Sequence, residues 1–182
     1  MKRLSFLLLS AGLPILSLAQ GWPANYGGVM LQGFYWDSFS DSKWKNIEAQ
    51  ADELSQYFDL IWIPQSGKAQ NSPSMGYDVL YYWNQNSSFG TEEQLRSMIK
   101  TLKEKGTGVV ADVVVNHRGN LSSWVDFPAE TYNGVKYEMV STDIVANDDN
   151  GATASNNPSV SLSANKDEGE GWDGMRDLDH KS

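Results

Sequence analysis

The sequence contains no cysteine. Disulfides are therefore excluded, as is a lipid anchor on a terminal thiol, and a fold without such staples needs a sizeable core or a bound ion. Long apolar runs are also missing. The longest, Leu4 to Leu18, is broken by Gly12 and Pro14 and falls short of the roughly 20 residues that a membrane span needs. Basic charge is scarce: 14 Lys and Arg face 23 Asp and Glu, for a formal charge of −9, which suits a nucleic-acid backbone poorly. Neither nucleic acid nor a membrane is an expected partner. Lys2 and Arg3 precede the apolar run, and the small residues Ser17 and Ala19 close it before Gln20. That is the layout of a secretory signal peptide over residues 1–19, and it predicts export to the periplasm or the exterior. Seven Trp and eight Tyr supply flat rings with polar tips that suit sugar faces, although such rings also fill cores and interfaces.

After cleavage about 160 residues remain, enough for one ordinary domain. Val29 to Tyr35 reads as a buried strand. From Asp41 to Phe58, the residues Trp44, Ile47, Ala51, Leu54 and Phe58 recur at spacings of three and four, which predicts one amphipathic helix. Leu60 to Ile63 is a second buried strand, ended by Pro64. A loop of about 26 residues without a period follows, rich in Ser, Asn, Gly and Tyr, and a loop that long is usually functional or disordered. Thr91 opens the next helix, with Gln94 completing a capping box. Leu95, Met98, Ile99 and Leu102 form its apolar stripe, and Gly106 suits a left-handed cap. Val109 to Val115 predicts a third strand, buried on both faces as parallel strands are. Alternating strands and helices joined by right-handed crossovers build either a doubly wound sheet or a (β/α)8 barrel. Residues 118–182 are polar and read as an irregular insertion held by something other than a large core, with disorder as the alternative. Asp148 and Asp149 within it read as solvated surface.

The strongest local feature is Asp112-Val113-Val114-Val115-Asn116-His117. It sets polar groups at the carboxyl end of a buried strand, where parallel α/β folds place their sites. Tying down a turn is the other role such residues could have. The same segment resembles the first signature of the alpha-amylase family of glycoside hydrolases. Gln32 to Ser38 is similar to that family's first strand, and Phe58 to Gln65 to its second. Gly76-Tyr77-Asp78 stands where the family has a Gly-Tyr pair, and Phe89-Gly90-Thr91 opens the next helix as it does there. Met175 to His180 resembles the Pro-Asp-Leu-Asp signature late in the inserted domain, with Arg176 in place of the usual Pro.

The resemblance implies an α/β fold, the N-terminal portion of a (β/α)8 TIM barrel. Residues 20–117 would give its first three strands and residues 118–182 an irregular domain B inserted after the third. It implies retaining hydrolysis of α-1,4-glucosidic links in starch and related glucans, which needs two carboxyl groups about 5 to 5.5 Å apart. In the family these belong to the fourth and fifth strands, so none of the present residues is assigned to them and the chain alone is expected to be inactive. The alternatives are a short product that binds glucan or calcium without catalysis, or a transglycosylating relative. His117 matches a family His that hydrogen-bonds the sugar at the cleavage subsite, and Tyr77 a Tyr that stacks on that sugar. Trp36 aligns with a Trp near the glycone subsites, with a core or rim role as its alternative. Asp112 matches a supporting Asp. Calcium takes six to eight oxygen ligands. The resemblance assigns it to Asn116 from the barrel and to Asp167 and Asp177 from the insertion, with Glu170 contributing its backbone carbonyl. A monomer is expected.

Overall fold

The computed structural model describes residues 26–169, 171–172 and 174–181. The expected signal peptide and Glu170 lie outside the described residues. Three short parallel strands make the central sheet: β1 (Met30–Gln32), β2 (Leu60–Ile63) and, in the third position, Gly108–Ala111, with β2 in the middle. The register runs Met30 to Leu60 and Leu60 to Gly108. Between β1 and β2 the chain forms α1 (Trp44–Ala49) and α2 (Ala51–Leu54). The single helix expected from Asp41 to Phe58 is thus broken at Gln50, whose φ of −94° and ψ of 2° leave the helical region. The expected apolar face survives the break, with Trp44, Ile47 and Ala51 buried.

The segment after Pro64 is not structureless. It carries a small antiparallel pair, β3 (Lys68–Ala69) with β4 (Val79–Tyr81). Asp78 fastens its tip by accepting the Asn71 backbone N–H and side-chain amide, both at 2.8 Å. The helix α3 (Glu92–Glu104) has the expected cap. The Thr91 hydroxyl accepts the Gln94 N–H, and the Gln94 side chain accepts the Thr91 N–H. Its buried stripe is Leu95, Met98 and Leu102, and Gly106 past its end has a φ of +88°, which glycine adopts without strain. These residues pack with Trp44, Ile61, Ile63 and Phe89 into one core, each such side chain contributing about 1.5–3 kcal/mol by burial.

The third strand, β5 (Gly108–Ala111), is shorter than the valine run predicted. Its ladder partner β2 stops at Ile63, because Pro64 has no N–H to continue it. Beyond Ala111 the run has no strand beside it among the described residues, and Val113 and Val115 are 64% and 58% exposed. Val114 alone is buried. At the other edge β1 is likewise shorter than the run Val29 to Tyr35, and Val29, Met30 and Tyr35 are exposed. An apolar pattern buries only where a neighbour covers it.

The remaining chain has definite structure. β6 (His117–Arg118) pairs antiparallel with the last strand, and β7 (Glu130–Tyr132) and β8 (Val135–Tyr137) form a hairpin. Asn133 and Gly134 turn that hairpin with φ of 49° and 78°, the two-residue turn whose left-handed positions Asn-Gly fills with least strain. A short helix α4 (Ala152–Asn156) and then β9 (Arg176–Asp177) follow. The apolar cluster here is small, built on Phe127, Ile144 and Leu178. Two buried ion pairs lie beside it: Arg118 to Glu130 at 2.8 Å, and Arg176 to Asp148 at 2.8 Å. The expectation of a solvated Asp148 and Asp149 is therefore wrong. Asp148 is 1% exposed, and both carboxylates are ion-paired to Arg176.

Candidate functional site

Four aromatic rings meet beyond the carboxyl ends of the parallel strands. Trp36 follows β1, Tyr77 lies in the loop after β2, and His117 follows β5. The fourth is Trp172, which the sequence analysis did not single out. Trp36 and Tyr77 are stacked, with ring centroids 6.0 Å apart and planes within 5°. Trp172 lies 6.4 Å from the Tyr77 ring and 5.1 Å from the His117 ring. Trp36, Phe39, Met75, Tyr77, Asp78 and Trp172 are among the walls of a cavity of about 290 Å3. Trp36 and Trp172 keep much of their surface exposed.

Polar contacts set these rings. The Tyr77 hydroxyl donates to Asp112 Oδ2 at 3.0 Å. Burial, then the hydrogen bond to Asp112 and that carboxylate's charge, push the Tyr77 phenol up to about 12, so it remains a donor at ordinary pH. Gly76 precedes it with a φ of +96°, and a Cβ there would come within 2.9 Å of the Gln65 carbonyl oxygen. Only glycine lets the loop pass Gln65 and present Tyr77. His117 is buried, with Nε2 2.7 Å from the Tyr77 carbonyl oxygen. A carbonyl only accepts, so Nε2 carries the proton in this contact. That differs from a ring free to donate through either nitrogen.

Asn116, Asp167 and Asp177 are brought together. The Asn116 side-chain amide donates to Asp177 Oδ1 at 3.2 Å, and Asn116 and Asp167 line the same cavity of about 350 Å3. Asp167 is held by Asn147, which accepts its backbone N–H and donates to its carbonyl, each at 2.9 Å. Burial first, then the neighbouring carboxylates Asp148 and Asp167, push the Asp177 carboxyl up to about 6. Among the described residues no group of three or more His, Asp or Glu side chains is placed to hold a metal. The set present is two carboxylates and one amide. It is an all-oxygen set whose excess negative charge suits a hard cation, with backbone carbonyls and water to complete the shell. In the β6–β9 ladder His117 pairs with Asp177, so the ring cluster and the oxygen cluster share one strand pair.

Another cavity, about 550 Å3, lies between the β7–β8 hairpin and residues 178–180, and shares Leu178, Asp179 and His180 with the cavity beside Asn116 and Asp167. None of the residues predicted for the site lines it. No described helix is long and apolar enough to cross a membrane.

The family model described as alpha amylase, catalytic domain, matches residues 53–176. The chain is 31% identical to the chloroplastic alpha-amylase 3 of Arabidopsis thaliana over 107 residues, covering 58% of this chain and 12% of that protein. It is 29% identical to an alpha-amylase of Bacillus licheniformis over 133 residues, covering 67% and 26%. A glucan 1,4-alpha-maltohexaosidase of Bacillus sp. (strain 707) is 30% identical over 128 residues, covering 64% and 25%. The chain thus spans about a quarter or less of the length of these relatives.

Proposed function

This chain belongs to the alpha-amylase family of glycoside hydrolases, and from that premise we propose that its ring cluster holds the sugars of an α-1,4-glucan for retaining endo-hydrolysis. The carrying observation is the stack of Trp36 on Tyr77, with Trp172 bridging Tyr77 and His117. Ring faces bind the apolar C–H faces of pyranoses, at about 1 kcal/mol per ring by analogy with aromatic pairs. His117 supplies a directed polar contact at the same place. Asp112 supports by locking the Tyr77 ring. It is spent on that hydroxyl and is not offered as a nucleophile.

Retaining hydrolysis needs two carboxyl groups about 5 to 5.5 Å apart across the scissile bond. On the family pattern these follow the fourth and fifth strands, whereas the parallel sheet among the described residues has three. On this reading the 182 residues bind glucan without cleaving it. A calcium ion held by Asn116, Asp167 and Asp177 would join the strand end to the insertion, and export of a monomer through residues 1–19 completes the proposal.

Electrophoresis in native gels containing soluble starch tests the binding, and a reducing-end assay tests turnover. Retardation of the wild-type chain, loss of retardation in Trp172→Ala and Tyr77→Ala, and no release of reducing ends are expected. Unretarded migration of a folded wild-type chain would remove the glucan reading.

A further inference from the structure

Asp148 is a carboxylate beside the oxygen cluster whose own oxygens are already taken. Its Oδ1 accepts the Asp177 backbone N–H at 2.8 Å. Its Oδ2 receives Arg176 Nη1 at 2.8 Å and the Thr153 hydroxyl. Arg176 Nη2 reaches Asp149 Oδ2 at 2.7 Å, and the guanidinium lies 4.5 Å over the Trp124 ring. Arg176 and Asp148 are each 1% exposed, and Thr153 is fully buried. A carboxylate this deep is tolerated only with a paired charge and satisfied hydrogen bonds. Arg176 supplies a permanent charge with a rigid fork of donors. A proline at that position, as in the family signature, has neither charge nor N–H to give.

The backbone is shaped to the same end. Asp149, Asn150 and Gly151 have φ of 49°, 55° and 86° in succession, a left-handed run that Asp, Asn and Gly enter more easily than other residues. This turn presents Asp148 and Asp149 to one guanidinium. Asp177 also gives its carbonyl to the Val145 N–H at 3.1 Å, so both its backbone polar groups are bound by residues 145–148. Its side chain is left facing Asn116.

We infer that Asp148, held by Arg176 and Thr153, is the positioning residue for Asp177, and that its acceptor oxygen on the Asp177 N–H sets the cation site before any cation arrives. The inference rests on the calcium reading for the identity of the ligand. A merely structural pair would add stability and leave cation affinity unchanged.

Two measurements separate these roles. In calcium-free wild-type protein, the Asp177 amide is expected to exchange hydrogen at least a hundredfold more slowly than in an unstructured peptide; exchange at the peptide rate until calcium is added overturns the inference. The second compares Asp148→Asn/Arg176→Met with Asp148→Leu/Arg176→Met. Both remove the ion pair, but only the leucine variant also removes the acceptor for the Asp177 N–H. Calorimetric titration with calcium chloride is expected to give a Kd at least tenfold weaker for the leucine variant, and equal affinities overturn the inference. Should wild-type protein bind no calcium, the calcium reading falls and this inference with it, whereas calcium binding with equal affinity in the two variants overturns the inference alone. Should either double variant fail to fold, Thr153→Val, which removes one of the donors holding Asp148, is titrated in its place, and a calcium affinity equal to wild type overturns the inference.

Discussion

Replacing Glu130 by alanine tests how the insertion is fastened to the loop that carries Tyr77. Glu130 is buried. Its Oε1 takes Arg118 Nη2 and the Tyr82 N–H, and its Oε2 the Trp83 N–H, all at 2.8 Å. Without it, the 3% exposed Arg118 keeps the carbonyls of Leu80 and Pro128 at 3.0 and 3.2 Å and the Tyr82 ring at 5.0 Å, but no counter-charge. Breaking a buried pair by removing one partner costs about 3–5 kcal/mol. The two carbonyls moderate that toward the lower end. The Tyr82 and Trp83 amides are only half-buried, so water replaces much of their lost bond and about 1 kcal/mol is added at most. A loss of about 3–4 kcal/mol in a domain of this size lowers Tm by roughly 6–16 °C. Glu130→Gln keeps acceptor oxygen without charge, and should lose about half as much. Thermal unfolding followed by circular dichroism reads both, and limited proteolysis should show cleavage between residues 118 and 140 first in the alanine variant. A loss below about 1 kcal/mol, or equal losses for Ala and Gln, would refute the reasoning that a buried Arg118 charge depends on Glu130.

Thr91→Ala removes half of the capping box of α3 and should cost about 1 kcal/mol, read as a lower denaturation midpoint with an unchanged slope. The raised Tyr77 phenol contributes stability that is full below about pH 10 and is lost as pH rises through about 12. Ultraviolet titration of Tyr77→Phe should therefore lack one late-ionising tyrosine, and loss of one that ionises near 10 instead would contradict the assigned contact with Asp112. Calcium at a hundredfold excess over its Kd should raise stability by about 2.7 kcal/mol, a gain that chelator reverses in wild type and that is small in Asn116→Ala and Asp177→Ala. A melting curve indifferent to both calcium and chelator would end the calcium assignment and leave the glucan assignment standing.

What could be seen in the sequence was what depends on near neighbours. The cap at Thr91, the stripe on α3 and the stop at Pro64 are local features, and each appears where it was expected. The strand expected to reach Val115 stops at Ala111 because a strand needs a partner, and partners are not visible in a run of apolar residues. The strands β3 and β4 are too short to show a period, whereas the Asn133-Gly134 turn was a local signal that could have been used. Nothing near Asp148 in the sequence signals its burial, which depends on Arg176, 28 residues further on. The departure of Arg176 from proline was visible, but its consequence was not. Trp172 stood as a lone large ring in a polar stretch. Its contact with His117 arises only when β9 folds back on β6.

The most direct test of the central claim is a titration of tryptophan fluorescence with maltohexaose and, separately, cellohexaose. Trp36 and Trp172 frame Tyr77 in the site, so occupancy of the ring cluster must change their emission. A saturable change with the α-1,4-linked sugar, little with the β-linked one, and loss of the response in Tyr77→Ala are expected. An equal response to both sugars, or none to maltohexaose in a folded chain, would contradict the claim.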